Sequence, residues 1–131
     1  MNRHNLYIQE AIIEAKKCTM LMKHGCVIVH RTHIISRGHN SNEMSDYKKF
    51  SVHAEVAAIN NMKKNRVNVD SMVMYVVRIH NKDLDKETNQ IRTQNSKPCM
   101  DCMRCITYHK VKKVYFTSID SICEGRTSSD P

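Results

Sequence analysis

The chain has 131 residues, 40% of them hydrophobic and 26% charged, which are the length and composition of one globular domain able to fold without covalent staples. Its formal net charge is +8, from 21 Lys and Arg against 13 Asp and Glu, which suits an anionic partner such as a nucleotide or nucleic acid. No run approaches the ~18 apolar residues of a membrane span, and MNRHNLYIQEA is not a signal peptide, so a cytoplasmic location with reduced thiols is expected.

The first predicted element is a helix over residues 5–22, with an apolar stripe at Ile8, Ala11, Ile12, Ala15, Cys18 and Met22 that Gly25 interrupts. Residues 26–29 (CVIV) and 33–37 (HIISR) read as two short strands. Their tight link predicts an antiparallel hairpin. Gly38-His39-Asn40 ends it, and the polar stretch 41–50 (SNEMSDYKKF) reads as a loop. A second, alanine-rich helix is predicted over 52–61 (VHAEVAAINN), and MVMYVVRI over 72–79 reads as a central strand.

Residues 81–95 form a polar excursion, read as a loop or small hairpin. A third helix follows Pro98, placed at its first helical position, and runs to about His109. The last strand is 114–117 (VYFT). Two strand–helix–strand units in the second half predict parallel pairs, and the whole predicts a layered α/β domain around one mixed sheet. The domain is expected to occupy residues 1–118, with a flexible polar tail over 119–131.

Chemistry concentrates in SKPCMDCMRC, which holds Cys99, Cys102 and Cys105 of the six cysteines. Disulfides do not suit a reduced compartment, and a structural zinc knot wants a second CxxC, which the chain lacks. Cys99 and Cys102 at a helix start share a face, and the positive helix end favours thiolate. His53, at the start of the other alanine-rich helix, is the best further ligand. A His53, Cys99 and Cys102 set leaves zinc one position for water, as a catalytic site does. Glu55 would then stand by without ligating, as a proton shuttle. Alone, HAE is an ordinary helical triplet and one CxxC is moderate evidence of metal or redox work.

Together, His53-Ala54-Glu55 and Pro98-Cys99-Met100-Asp101-Cys102 resemble the H-x-E…P-C-x-x-C signature of the zinc-dependent cytidine and deoxycytidylate deaminase superfamily, a signature of known mechanism. The order of elements extends the resemblance over roughly residues 5–118. It implies a three-layer α/β/α fold with a central mixed sheet. It implies one Zn²⁺ on His53, Cys99 and Cys102, with Glu55 moving protons while water replaces the amine of a cytosine ring. Gly38-His39-Asn40 resembles the family's G-x-N, which assigns Asn40 to substrate binding, and the Ala54 N–H is assigned to the base by the same analogy.

Some features depart from that pattern. Lys97 precedes the proline where relatives often carry Glu, Thr or Ser. The 81–95 excursion is long, and no helix is predicted after Phe116. These leave the substrate open. The leading expectation is a deaminase of a free cytosine nucleoside or nucleotide, self-associating as a dimer or tetramer by analogy. The runner-up is base deamination on single-stranded DNA or RNA, which the charge favours, and the contrasting class is a non-catalytic zinc-stabilised binding module. Cys105, Cys18 and Cys26 are read as packing residues and Cys123 as a free thiol in the tail. His39 is noted as a neighbour of the pocket, and Lys48-Lys49 as a solvated loop pair.

Overall fold

The computed structural model describes residues 3–44, 49–65, 69–80, 93–118 and 121–126. Helix α1 (Arg3–Ala15) leads into strands β1 (Met22–His30) and β2 (His33–His39), then the short strands β3 (Ser41–Met44) and β4 (Lys49–Val52). Helix α2 (Ala54–Lys64), strand β5 (Met72–His80), helix α3 (Met100–Tyr108) and strands β6 (Val111–Ser118) and β7 (Ser121–Arg126) complete the chain. Five strands form one mixed sheet in the order β2-β1-β5-β6-β7, in which only β5 and β6 are parallel.

Alternation along the strands gives the sheet two apolar faces, and each recruits a helical layer. Val27, Val29, Tyr75, Val77 and Ile79 face α1, whose Tyr7, Ile8, Ala11, Ile12 and Ala15 recur at helical spacing. On the other face Cys26, Ile28, Met74, Val76 and Val114 pack against Ala54, Ala58 and Ile59 of α2 and Cys102 and Ile106 of α3. The result is the three-layer α/β/α arrangement around a mixed sheet.

Glycines set how close these layers come. A Cβ on Gly25 would lie 2.0 Å from the Ala11 carbonyl oxygen, and one on Gly38 would lie 2.4 Å from the Ala58 nitrogen and 2.8 Å from the Ala54 carbonyl oxygen. Gly25 therefore lies inside β1 beneath α1, where the sequence reading took it as a helix breaker; a strand glycine marks such close approach. Gly38 does the same for α2, the helix that begins at His53. Gly38→Ala is expected to push α2 off the sheet and cost at least about 1–3 kcal/mol, the usual range for overpacking, as measured by urea unfolding.

Further differences from the sequence reading have local causes. The helix stops at Ala15, and Met22 opens a nine-residue strand. The hairpin forms as expected, turning at Arg31 with φ 61°. The stretch 41–50 contains the ribbon β3–β4, paired from Ser41↔Val52 to Met44↔Lys49, whose polar residues hide a strand signal that backbone pairing supplies. Residues 45–48, including Lys48, lie outside the described residues, as do 81–92 of the excursion. Of the two expected parallel pairs only β5–β6 forms, because β1 lies between β2 and β5. The sheet also continues past residue 118: β7 pairs antiparallel with β6, Cys123 opposite Phe116, in a stretch read as flexible tail.

Candidate metal centre and substrate cavity

Helices α2 and α3 each precede a parallel strand, so their N-termini meet at the carboxyl ends of β5 and β6, where α/β sheets hold ligands. His53 is the N-cap residue of α2 and Cys99 that of α3. The Cys99 sulfur accepts the Cys102 N–H at 3.4 Å, so the thiol and not Pro98 caps the helix. Pro98 therefore lies just before α3 and not at its first helical position.

The donor atoms of His53, Cys99 and Cys102 all lie within 4.8 Å of one another. His53 Nδ1 is 3.1 Å from the Cys102 sulfur and 3.9 Å from that of Cys99. Tetrahedral zinc with ordinary Zn–N and Zn–S bonds needs such donors roughly 3.6–3.8 Å apart, so small side-chain rotations suffice. One imidazole and two thiols are also the borderline-soft set that zinc prefers. Cys105 is outside the cluster, with its sulfur 3.8 Å from His109 Nδ1. Cys18 and Cys26 are buried packing residues, as expected.

Glu55 sits in the first turn of α2 and is buried, 4% exposed. Burial pushes its carboxyl above the usual range, opposed by its own backbone hydrogen bond, the His53 charge and a hydrogen bond from the Cys102 thiol. The Cys102 thiol is likewise pushed up, first by burial and then by the Glu55 carboxylate and Cys99. Each of these neighbouring groups therefore gives up its proton less readily than it would in water.

Cys99 and Cys102 are held in place by an anchor that the sequence did not reveal. The Gln94 N–H donates to the Arg78 carbonyl at 2.7 Å and the Ser96 N–H to that of Thr117 at 2.8 Å, so the chain is pinned to the ends of β5 and β6 just before Pro98. The buried Ser96 hydroxyl donates to Val76 O at 2.8 Å and accepts the Thr117 N–H at 2.7 Å, and the Thr117 hydroxyl donates to Gln94 O at 2.8 Å. Each buried polar group in this knot has a partner.

A cavity of about 290 Å³ opens beside the cluster, lined by His53, Glu55 and Cys99 together with Met20, Met22, His24, Asn40 and Arg78 among others. Asn40 lies in the wall, but its amide is engaged with β1: Oδ1 accepts the His24 N–H at 2.7 Å and Nδ2 donates to Met22 O at 2.9 Å. His39 points the other way, as alternation requires, with Nδ1 3.3 Å from a Glu14 oxygen on the α1 face. Asn40, just past the end of β2, makes one row with His24 of β1 and Arg78 of β5, since the Asn40 N–H donates to His24 O and His24 lies opposite Arg78. Burial holds His24 down to about 4, helped by the Arg78 guanidinium and by His53, so its ring is neutral near pH 7. The sequence reading missed His24 and Arg78. The available signal was that Arg78 is the one charge in MVMYVVRI, at the carboxyl end of a central strand.

The cytidine and deoxycytidylate deaminase zinc-binding region matches residues 1–118. The chain belongs to this family. Members of the family are zinc-dependent hydrolytic deaminases, and the His53, Cys99 and Cys102 cluster of this deaminase-family chain fits a single zinc site. Among solved structures, the dCMP deaminase of cyanophage S-TIM5 is 24% identical with TM-score 0.64, covering 88% of this chain and 82% of its own. The cytidine deaminase of Burkholderia pseudomallei is 16% identical with TM-score 0.72, covering 97% and 94%. The Thermotoga maritima diaminohydroxyphosphoribosylaminopyrimidine deaminase/reductase is 18% identical with TM-score 0.56 over 87% of this chain and 29% of its own. At these identities the likeness is one of fold. No curated protein sequence matches the chain significantly. Among the described residues, no helix is long and apolar enough to cross a membrane.

Proposed function

We propose that this chain converts a free cytosine nucleoside or nucleotide to its uracil counterpart, consuming water and releasing ammonia. The observation that carries the reading is the buried, unligated Glu55 carboxyl beside a three-donor His53, Cys99 and Cys102 set at the mouth of a small cavity. A purely structural zinc site has no use for that carboxyl.

His53, Cys99 and Cys102 would hold the zinc. When bound, zinc supplies the Lewis acidity that makes water nucleophilic at neutral pH. Glu55, with its affinity for protons raised by burial, takes a proton from the attacking water. It delivers protons to the ring nitrogen and to the departing amine, as a bond from C4 to oxygen forms and the bond from C4 to nitrogen breaks. The Ala54 N–H belongs to the first turn of α2, whose N–H groups have no intrahelical acceptor, and is assigned to hold the base. Asn40 acts on substrate from the cavity wall, through the acceptor capacity that Oδ1 keeps beyond its bond to His24.

A cavity of about 290 Å³ is at the small end for ligand sites and suits one nucleotide. The net charge of +8 supports a second reading, deamination within single-stranded DNA or RNA. Self-association as a dimer or tetramer is part of the proposal, and Met100 and Tyr108 of α3, 71% and 82% exposed, supply an apolar surface for it. Domain limits of 1–118 remain part of the reading as the extent of the catalytic unit, with β7 added to its sheet.

The test is to incubate zinc-loaded protein with cytidine, deoxycytidine, their monophosphates and single-stranded oligonucleotides, and to follow uracil formation. Product from the small substrates is expected. Product from oligonucleotides alone would transfer the assignment to the second reading, and no product from any substrate would overturn both.

A further inference from the structure

Arg78 is the feature of the cavity that neither the zinc centre nor its proton shuttle uses. It continues the row Met72, Met74, Val76 on the site face of β5, and it lines the cavity. Its Nε is buried without a hydrogen-bond partner, and Nη1 makes one long contact, 3.5 Å, to the Asn95 carbonyl. Among the described residues no carboxylate pairs with it, although salt bridges engage other basic side chains of the chain, such as Arg37 with Glu10.

A buried guanidinium N–H without an acceptor is costly, and an arginine's flat fork of donors matches a phosphate's oxygens. The ring of His24 opposite it is neutral near pH 7 and supplies no charge, while Lys97 is a second basic residue lining the cavity. The same cavity is also lined by Glu55, His53 and Cys99, so it offers groups for the reacting base and a guanidinium for an anion.

We infer that Arg78 is the anion-binding residue of this cavity and selects a pyrimidine nucleoside monophosphate over the unphosphorylated nucleoside. This rests on the cytosine-deaminase reading of the same site. It narrows that reading, since a nucleoside leaves Arg78 unsatisfied. It also separates the monophosphate from a polynucleotide: both offer phosphate oxygens, but the cavity has room for one nucleotide.

The experiment is calorimetric binding to zinc-loaded parent, Arg78→Gln and Arg78→Lys proteins, with dCMP, CMP, deoxycytidine, cytidine and a short single-stranded oligonucleotide. Uracil formation is measured in parallel. The parent is expected to bind a monophosphate about 10- to 150-fold more tightly than its nucleoside, the range for a hydrogen-bonded charge. Arg78→Gln should erase that gap while leaving nucleoside affinity within about threefold, and Arg78→Lys should keep part of it. A gap that survives in Arg78→Gln, an equal loss for both ligands, or tighter binding of the oligonucleotide than of the monophosphate would overturn the inference. If Arg78→Gln fails to fold, Arg78→Lys decides, because an undiminished gap there excludes the bidentate fork. Binding through Arg78 without turnover would sink the deaminase reading and leave the subsite standing, whereas turnover indifferent to phosphate and to Arg78 would do the reverse.

Discussion

Replacing Glu55 by glutamine is expected to leave zinc content unchanged and to lower deaminase turnover by about 10²–10⁴-fold, the usual contribution of a positioned acid–base group. Glutamine keeps the volume and a hydrogen-bonding end but cannot carry the proton. Metal analysis beside the uracil assay separates a lost shuttle from a lost site. Loss of zinc together with activity would make Glu55 a structural partner of Cys102.

The same substitution has a stability consequence in metal-free protein, with a defined sign. Burial raises the Glu55 carboxyl in the fold, so as pH rises the unfolded chain gives up this proton first. The parent therefore loses stability from the ordinary glutamate range upward, through the folded value, and Glu55→Gln does not. Melting curves at about pH 8 should place the variant at or above the parent, and at about pH 4 the advantage should vanish. An enzyme that keeps a costly carboxyl in a buried place trades stability for chemistry.

The second large effect concerns the metal. Cys102→Ser is expected to abolish stoichiometric zinc binding and with it all measurable turnover. In the parent, chelation should lower the melting temperature, because a ligand held at 100 times its Kd contributes about 2.7 kcal/mol to the folded state. Burial and the Glu55 carboxylate hold the Cys102 thiol protonated in the metal-free protein, so zinc must displace that proton. Apparent zinc affinity should then rise with pH, about tenfold per unit for each proton displaced. Calorimetry in buffers of different ionisation heat would count the protons, and a count of zero would contradict protonated thiols.

The metal cluster was legible in the sequence because its residues are chemically specific and sit at helix starts: His53, Glu55, Cys99 and Cys102 needed only two helices brought end to end. The apolar rows of β1 and β5 were equally plain. What escaped was whatever backbone pairing alone decides. The β3–β4 ribbon and β7 are polar strands, and no side-chain pattern separates SNEM or SICEGR from loop. Gly25 and Gly38 looked like chain breaks because glycine carries no sign of whether it turns the chain or lets a helix lie close. Arg78 and His24 became neighbours only through the β1–β5 register, which places His24 opposite Arg78. His39 was assigned by its place beside Asn40 in the chain, and a single step of strand alternation sent it to the far face.

The pins at Gln94 and Ser96 also make this architecture modular. The chain leaves β5 after His80 and is secured again by Gln94 on Arg78 and Ser96 on Thr117 before it reaches the cysteines. Contacts that begin at Gln94 therefore suffice to tie the segment before Cys99 to the sheet. A reporter module inserted after His80 is expected to leave stoichiometric zinc binding intact, which metal analysis of the fusion would check.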